Sequence, residues 1–322
     1  MGNTYSLFFP PTPSLTEDNL PSQSGKVFLV TGGTSGVGYE LCSILYNAGG
    51  KVYLAGRSKA STEAAIEKIK ASNSSNGSAG KLVPFAVSLE NLSSIKPAVE
   101  EFLANESRLD VLFNNAGVSN PPKNSKTAQG HELQMGVNCL GSYLLTQLLL
   151  PILHKTAASA PSGSVRVVWT SSITVDLGPS PPPHISEMTT PSSNQQTNYS
   201  ISKYGNWFLA DGLSKQDGSI LSVSQNPGNL KSKLTRHMPS IVPILAGPLL
   251  YPPKYGAYTN LWCGVSDELG LEDNGKYALP WGRFHPAPPP KMLEALKAES
   301  EGGTGVAAEF VRWCEDQTRD YR

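Results

Sequence analysis

Tyr199 and Lys203, in the run Tyr-Ser-Ile-Ser-Lys (199–203), stand at i and i+4. On a helix that spacing puts both side chains on one face. A free tyrosine titrates near pH 10, so it is a poor acid or base at neutrality. A neighbouring ammonium stabilises the phenolate and lowers that value. The pair is therefore suited to general acid–base chemistry. Alone the spacing is common on exposed helices; its place after an apolar β-rich run and a Thr-Ser-Ser stretch (170–172) gives it weight.

A second cluster reads Thr31-Gly32-Gly33-Thr34-Ser35-Gly36-Val37-Gly38, between a β-rich run and a helical pattern. In that context a glycine-rich turn cradles a dinucleotide pyrophosphate. Gly32 permits the tight turn, Gly36 lets backbone amides approach phosphate, and Gly38 lets the helix pack closely. Thr34, Ser35 and Val37 complete the cradle, and the helix N-terminus presents free N–H groups and the positive end of its dipole. At the end of the next strand an NAD site wants an acid for the ribose hydroxyls. This chain has Gly56-Arg57-Ser58-Lys59 instead. Arg57 can pair with a 2′-phosphate and Ser58 can donate to it, which predicts NADP(H) over NAD(H). A third turn, Asn114-Asn115-Ala116-Gly117, follows the fourth strand, where small residues let cofactor and backbone approach.

These residues need a scaffold. The β-rich runs 26–31, 51–55, 82–87, 111–114, 165–171 and 220–225 alternate with helical patterns, the first carrying Leu41, Ile44, Leu45 and Ala48 at i, i+3, i+4, i+7. Further helices are predicted over 60–71, 93–104, 132–154, from about Tyr199, and over 305–317. Alternating units of this kind predict an α/β, Rossmann-type, doubly wound parallel sheet of about seven strands with helices on both faces. Pro84 suits an edge strand, which the third strand of a 3-2-1-4-5-6 sheet is. A short strand is expected over 276–279. Residues 1–25 read as an arm without periodicity and 26–322 as one domain. Within it, 229–255 is apolar and Pro-rich, either a substrate lid or a core-packing segment, and 284–322 is a C-terminal extension. The loop 176–198 is long, Pro- and Ser-rich, and predicted to lack secondary structure.

Gly32/Gly36/Gly38, Asn114–Gly117, Asn138, Ser172 and Tyr199/Lys203, in that order, resemble the ordered signature of the short-chain dehydrogenase/reductase family. Finer features resemble the fungal members of its retinol-dehydrogenase-like and WW-domain-oxidoreductase-like branch. They are Leu20-Pro21…Ser24-Gly25-Lys26, the segment 132–138, Gly275-Lys276-Tyr277…Pro280-Trp281-Gly282-Arg283 and Glu301-Gly302-Gly303. The resemblance implies hydride transfer between nicotinamide and a carbonyl or alcohol carbon. Tyr199 would give the proton and Lys203 would also hold the nicotinamide ribose. Ser172, preferred over its rival Ser171, would bind the substrate oxygen, and Asn138 would support a water relay to Lys203. It further implies Asn115, Ala116 and Gly117 against the cofactor, Pro227, Gly228 and Leu230 beside the nicotinamide, and Ser232 on the carboxamide or phosphate. Ser88 stands where the family commonly has Asp near the adenine, a departure that keeps a hydroxyl and loses the charge. Substrates would be lipophilic or aromatic carbonyl compounds or alcohols, in fungal relatives often secondary-metabolite intermediates. Homo-oligomers would pair through the helices after the fourth and fifth strands unless the C-terminal tail covers them.

The composition bounds the alternatives. Lys+Arg and Asp+Glu number 26 each, so no basic field exists for nucleic acid. Cys42, Cys139, Cys263 and Cys314 are widely spaced and the five histidines show no ligand pattern. Buried reduced thiols in a cytoplasmic protein, and no metal, are the expectation. No run of about 18 apolar residues suggests a membrane span. Met1-Gly2…Ser6 matches a loose myristoylation pattern, read as chance. Two other functions use the same residues: a non-catalytic NADP(H)-binding sensor, and an isomerase or dehydratase that uses Tyr199 without net redox. A sensor has no need of Asn138, Ser172, Tyr199 and Lys203 together.

Overall fold

The computed structural model describes residues 2–72, 79–231 and 250–322. In chain order the elements begin with α1 (Gly2–Phe8), β1 (Val27–Val30), α2 (Gly36–Asn47), β2 (Lys51–Gly56), α3 (Lys59–Ser72), β3 (Lys81–Ala86), α4 (Ile95–Asn105) and β4 (Val111–Asn114). Next come α5 (Leu133–Met135), a π-helical turn (Gly136–Gly141), α6 (Ser142–Ala157), β5 (Arg166–Thr170), α7 (Thr174–Leu177), α8 (Ile185–Thr189), α9 (Gln195–Gln216) and β6 (Leu221–Gln225). The chain closes with α10 (Pro253–Val265), β7 (Tyr277–Leu279), β8 (Arg283–Phe284), α11 (Pro290–Leu296) and α12 (Val306–Thr318).

The sheet order is β3-β2-β1-β4-β5-β6-β7-β8. Every pairing is parallel except β7 with β8. Period-two alternation sorts the strand residues between two cores. Phe28, Val30, Val52, Leu54, Val111 and Phe113 face α2, α3 and α10. Leu29, Tyr53, Leu112, Val167 and Trp169 face α4, α6 and α9. With both faces covered, the central strands read as unbroken apolar runs. Pro84 lies in β3 at the sheet edge, where it pairs with Leu54 of β2 alone.

The structure corrects several expectations. The sheet has eight strands, because the two-residue β8 adds an antiparallel edge. The arm carries a helix, α1, whose Leu7 is buried, and Asn229 Nδ2 donates to the Leu7 carbonyl at 3.3 Å. The loop 176–198 contains α8, and α9 starts at Gln195, four residues before Tyr199, where the Asn194 side chain accepts from Gln196 N at 2.9 Å. The end of the 229–255 segment runs into α10 and the C-terminal extension contains α11, each with proline in its first turn, a position where the missing N–H costs nothing. The predicted helix 132–154 is interrupted by the π turn and ends at Ala157. That helical stretch, Leu133–Ala157, is long and apolar enough to cross a bilayer by length and composition, and here it is mostly buried inside the fold.

On the outer face of α9, α12 packs Phe310 against Gly205 and Val311 against Gly212; a Cβ at either glycine would lie 2.7 Å from those side chains. The C-terminal extension therefore covers part of the face that α6 and α9 would offer a second copy.

Candidate active site

The turn after β1 is built for close approach. Gly32 has φ +69°, a left-handed conformation that side chains resist. A Cβ on Gly38 would lie 2.5 Å from the Gly32 carbonyl oxygen, so the first turn of α2 sits directly on the glycine turn. Ser35, the N-cap of α2, makes no side-chain cap bond, leaving the first N–H groups of the helix for an anion.

Thr31 joins this turn to the one after β4. Its hydroxyl donates to the Phe113 carbonyl at 3.0 Å and accepts from the N–H groups of Asn115 and Ala116, both at 2.9 Å. The Asn115 side chain donates back to the Thr31 carbonyl at 2.9 Å. Both turns thus open together between β1 and β4, where the strand order reverses and a ligand crevice forms. Sequence reasoning gave Thr31 no role and did not foresee that the Asn115 side-chain amide would brace the turn.

Arg57 is exposed at the end of β2, and no acidic partner pairs with it among the described residues. The Ser58 hydroxyl accepts from Ser61 N at 3.3 Å and donates to Ser61 Oγ at 3.0 Å, so it caps the start of α3. Ser88 is partly exposed and lines a cleft of about 520 Å³ with Glu90, Asn91, Ser125, Lys126 and Leu133.

The acid–base residues converge beyond β5. Tyr199, Ser172, Lys203 and Asn138 are 7 %, 9 %, 3 % and 1 % exposed. Lys203 Nζ lies 5.7 Å from the Tyr199 ring centre and donates to the Thr170 carbonyl at 2.9 Å. Asn206 Nδ2 donates to the same carbonyl at 2.8 Å. Burial drives the Tyr199 pKa up, and a hydrogen bond with the Ser172 hydroxyl pulls it back. Of these two effects on Tyr199, burial is the larger. Burial lowers the Lys203 pKa to about 8, with Cys139 acting in the opposite direction. The two serines part company: Ser171 donates to the Lys203 carbonyl at 2.7 Å, while the Ser172 hydroxyl faces Tyr199.

Asn138 occupies the π turn, a helix irregularity of the kind that recurs at functional sites. Its Oδ1 accepts from Val118 N at 2.8 Å, and its Nδ2 donates to the Val118 carbonyl at 3.0 Å and to Ser202 Oγ at 2.9 Å. Ser202 donates in turn to the Tyr199 carbonyl at 2.7 Å. A Cβ on Gly117 would come within 3.3 Å of both Asn138 Oδ1 and Lys203 Nζ, so the third glycine turn reaches the acid–base cluster.

On the other side, Gly228 turns at φ +90° with its N–H donated to Asn226 Oδ1 at 2.9 Å. Leu230, Val37 and the Pro227 carbonyl all pack on Gly256, which sets the 227–230 turn against the dinucleotide turn. Ser232 lies outside the described residues, as does most of the 229–255 segment. Its two ends are zipped together: Lys231 N donates to the Tyr251 carbonyl and Tyr251 N to the Asn229 carbonyl, each at 2.8 Å. Trp281 stacks edge-on against Tyr251 at 4.6 Å and packs on Tyr255 at 4.5 Å, an aromatic wall beside Gly228. Sequence reasoning gave no role to Tyr277, whose hydroxyl donates to the Ser172 carbonyl at 2.8 Å; the residue figured there only within the expected strand 276–279 and the Gly275-Lys276-Tyr277 resemblance. All four cysteines are buried and unpaired. Among the described residues no three His, Cys, Asp or Glu side chains gather as metal ligands.

Residues 26–180 match the family model for short chain dehydrogenases. The chain is 44 % identical to a short-chain dehydrogenase/reductase of Phomopsis amygdali over 99 % of its own length and 97 % of the relative's. It is 41 % identical to the short-chain dehydrogenase/reductase iacJ of Pestalotiopsis fici, over 98 % of both chains. The fold matches the crystal structure of a putative uncharacterized protein from Mycobacterium paratuberculosis with a TM-score of 0.67 at 23 % identity, covering 95 % and 97 % of the two chains.

Proposed function

This chain belongs to the short-chain dehydrogenase/reductase family, whose members are oxidoreductases that bind a nicotinamide cofactor, and we propose that it is an NADP(H)-dependent reductase of lipophilic or aromatic carbonyl compounds. One observation carries the reading: the Tyr199 hydroxyl meets that of Ser172, Lys203 Nζ lies 5.7 Å from the Tyr199 ring, and the same Nζ is 3.3 Å from where a Cβ on Gly117 would stand, so the acid–base cluster adjoins the third glycine turn.

The residues fit the group. The uncapped start of α2 and Gly36–Gly38 would hold the pyrophosphate, Arg57 the 2′-phosphate, Ser88 the adenine end, and Asn115–Gly117 and Pro227–Leu230 the nicotinamide half. When bound, the nicotinamide supplies the hydride. Ser172 donates a hydrogen bond to the substrate oxygen and stabilises the charge that develops there. Tyr199 gives that oxygen its proton, so the alcohol leaves neutral. Lys203, held by the Thr170 carbonyl, keeps a positive charge near the phenolate that results and would hold the ribose hydroxyls of the bound cofactor. Asn138 braces the loop at Val118 and passes its hydrogen bonding through Ser202 to the Tyr199 backbone. The aromatic wall of Tyr251, Tyr255 and Trp281 favours an apolar substrate and excludes water from the reacting carbon.

The test is NADPH oxidation by the purified protein across aryl, quinone-like and polyketide-type carbonyls, with product mass determined. A product two hydrogens heavier than its substrate supports the reading. Tight NADPH binding with an isomerised or dehydrated product would replace it with the non-redox chemistry, and binding without turnover would favour the sensor.

A further inference from the structure

Ser172 lies in a turn rather than in a strand, so something outside β5 must fix it. Its carbonyl accepts from Val175 N at 3.1 Å and from the Tyr277 hydroxyl at 2.8 Å. Tyr277 lies in β7 and is fully enclosed. Its ring stacks on Trp207 of α9 at 4.7 Å, and Trp207 Nε1 donates to the Gly275 carbonyl at 2.8 Å. The same hydroxyl stands 3.4 Å from Asp176 Oδ2, but it has one proton to give, and the shorter bond takes it.

Asp176 is in α7, one turn beyond Ser172, and its other oxygen meets His285 Nε2 at 2.7 Å. Both side chains are about 5 % exposed. The Ala287 N–H donates to His285 Nδ1 at 3.1 Å, which leaves the ring proton on Nε2 to be donated to Asp176. His285 N donates to the Tyr277 carbonyl at 2.9 Å, so both gripping side chains come from one hairpin, β7–β8. The other groups that face this cluster are Arg283, whose charge interacts with Asp176, and Tyr199 and Tyr204 of α9. Tyr204 holds the far end of the same turn through the Thr174 and Pro179 carbonyls.

We propose that Tyr277, Asp176 and His285 form a positioning clamp on Ser172. Through it, a hairpin outside the nucleotide-binding half sets where the Ser172 hydroxyl stands relative to Tyr199. The proposal rests on the reading of Ser172 and Tyr199 as the proton-handling pair. It makes these three residues positioning residues that never touch substrate. A buried carboxylate is tolerated here because His285 Nε2 donates to Asp176 Oδ1 and the Arg283 charge interacts with it.

The test compares wild type, Tyr277→Phe, His285→Leu and His285→Gln, the last keeping an N–H at the position of Nε2. Tyr199 is titrated by NMR with ¹³C-labelled tyrosine, its resonance identified by its absence from Tyr199→Phe. Turnover of phenanthrenequinone, NADPH affinity and melting temperature are measured in parallel. Tyr277→Phe and His285→Leu are expected to raise the Tyr199 midpoint by about half a pH unit or more, because Ser172 no longer supports the phenolate. They are expected to lower kcat about tenfold with NADPH affinity within about twofold, and His285→Gln to recover most of both. A merely structural role predicts a lower melting temperature with the midpoint and kcat unmoved in both variants, and that result overturns the proposal. If Tyr199→Phe itself retains full turnover, the underlying reading falls and the clamp with it. If Tyr199→Phe is dead while Tyr277→Phe and His285→Leu are unshifted, the clamp alone is wrong.

Discussion

The turns after β1, β2 and β4 and the turns around Ser172 and Gly228 border the same crevice but are built differently. The backbone shape of the first group is set locally, since Gly32 folds back within its own turn and Gly38 rests on Gly32, and only Thr31 reaches far, tying that turn to the one after β4 across 82 to 85 positions. The second group is held from a distance. Ser172 is gripped by a residue 105 positions later, and the 227–230 turn is seated on Gly256 of α10. Where the constraint is local, residue type and spacing carry it; where it is distant, only the folded chain does.

Four changes break or sharpen that contrast. The largest expected effect is at Arg57, an exposed cation that no acidic group pairs with among the described residues. Arg57→Glu should lower the ratio of NADPH to NADH efficiency about 100-fold, the size of a lost charge-assisted contact replaced by repulsion. An unchanged ratio would remove Arg57 from the cofactor site while leaving the second group untouched.

The next effect is in the pH profile. Lys203 loses its proton as pH rises through about 8, so reduction should fall about tenfold per pH unit above that point. The same shift affects stability. Because folding depresses this pKa, the unfolded chain binds the extra proton between about 8 and its ordinary value near 10.5, and stability rises with pH across that window. Lys203→Met should flatten that rise in urea melts; a rise that persists would place its source elsewhere.

Gly38→Ala drives a methyl toward a carbonyl oxygen 2.5 Å away. It should cost about 2 kcal/mol of stability and weaken NADPH binding, as overpacking does. Wild-type affinity would mean that the turn relaxes freely and is not the rigid cradle described. The smallest effect is at Asn194, which caps α9: Asn194→Ala should cost about 1 kcal/mol and leave both NADPH binding and turnover almost unchanged. A large loss of turnover would show that the entry to α9 sets the position of Tyr199, as the second group's long-range design would then demand.

The contrast also accounts for what was legible in the sequence. The sheet could be read because β1, β2, β4 and β5 are buried on both faces, and the glycine turns because φ and close contact dictate residue type. Pro252 and Pro253 belong to the segment read as lid or core packing, and the start of α10 there was not foreseen although proline is at home in a helix's first turn. The π turn at Gly136–Gly141 leaves no mark on a helical pattern, so the reason Asn138 reaches Val118 and Ser202 was hidden. The roles of Tyr204, Tyr277 and His285 were not legible, because their partners are backbone carbonyls and an aspartate brought near only by folding. The Tyr199–Lys203 spacing placed Lys203 Nζ beside the Tyr199 ring, but it did not reveal how deeply Tyr199 would be buried or that burial would push its pKa up.

The most direct test of the account is to measure NADPH affinity and carbonyl reduction in Tyr199→Phe beside wild type. The account predicts affinity within about twofold and turnover reduced at least 100-fold, since only the proton-giving hydroxyl is lost. Turnover that survives the substitution would contradict it and move the acid–base chemistry away from Tyr199.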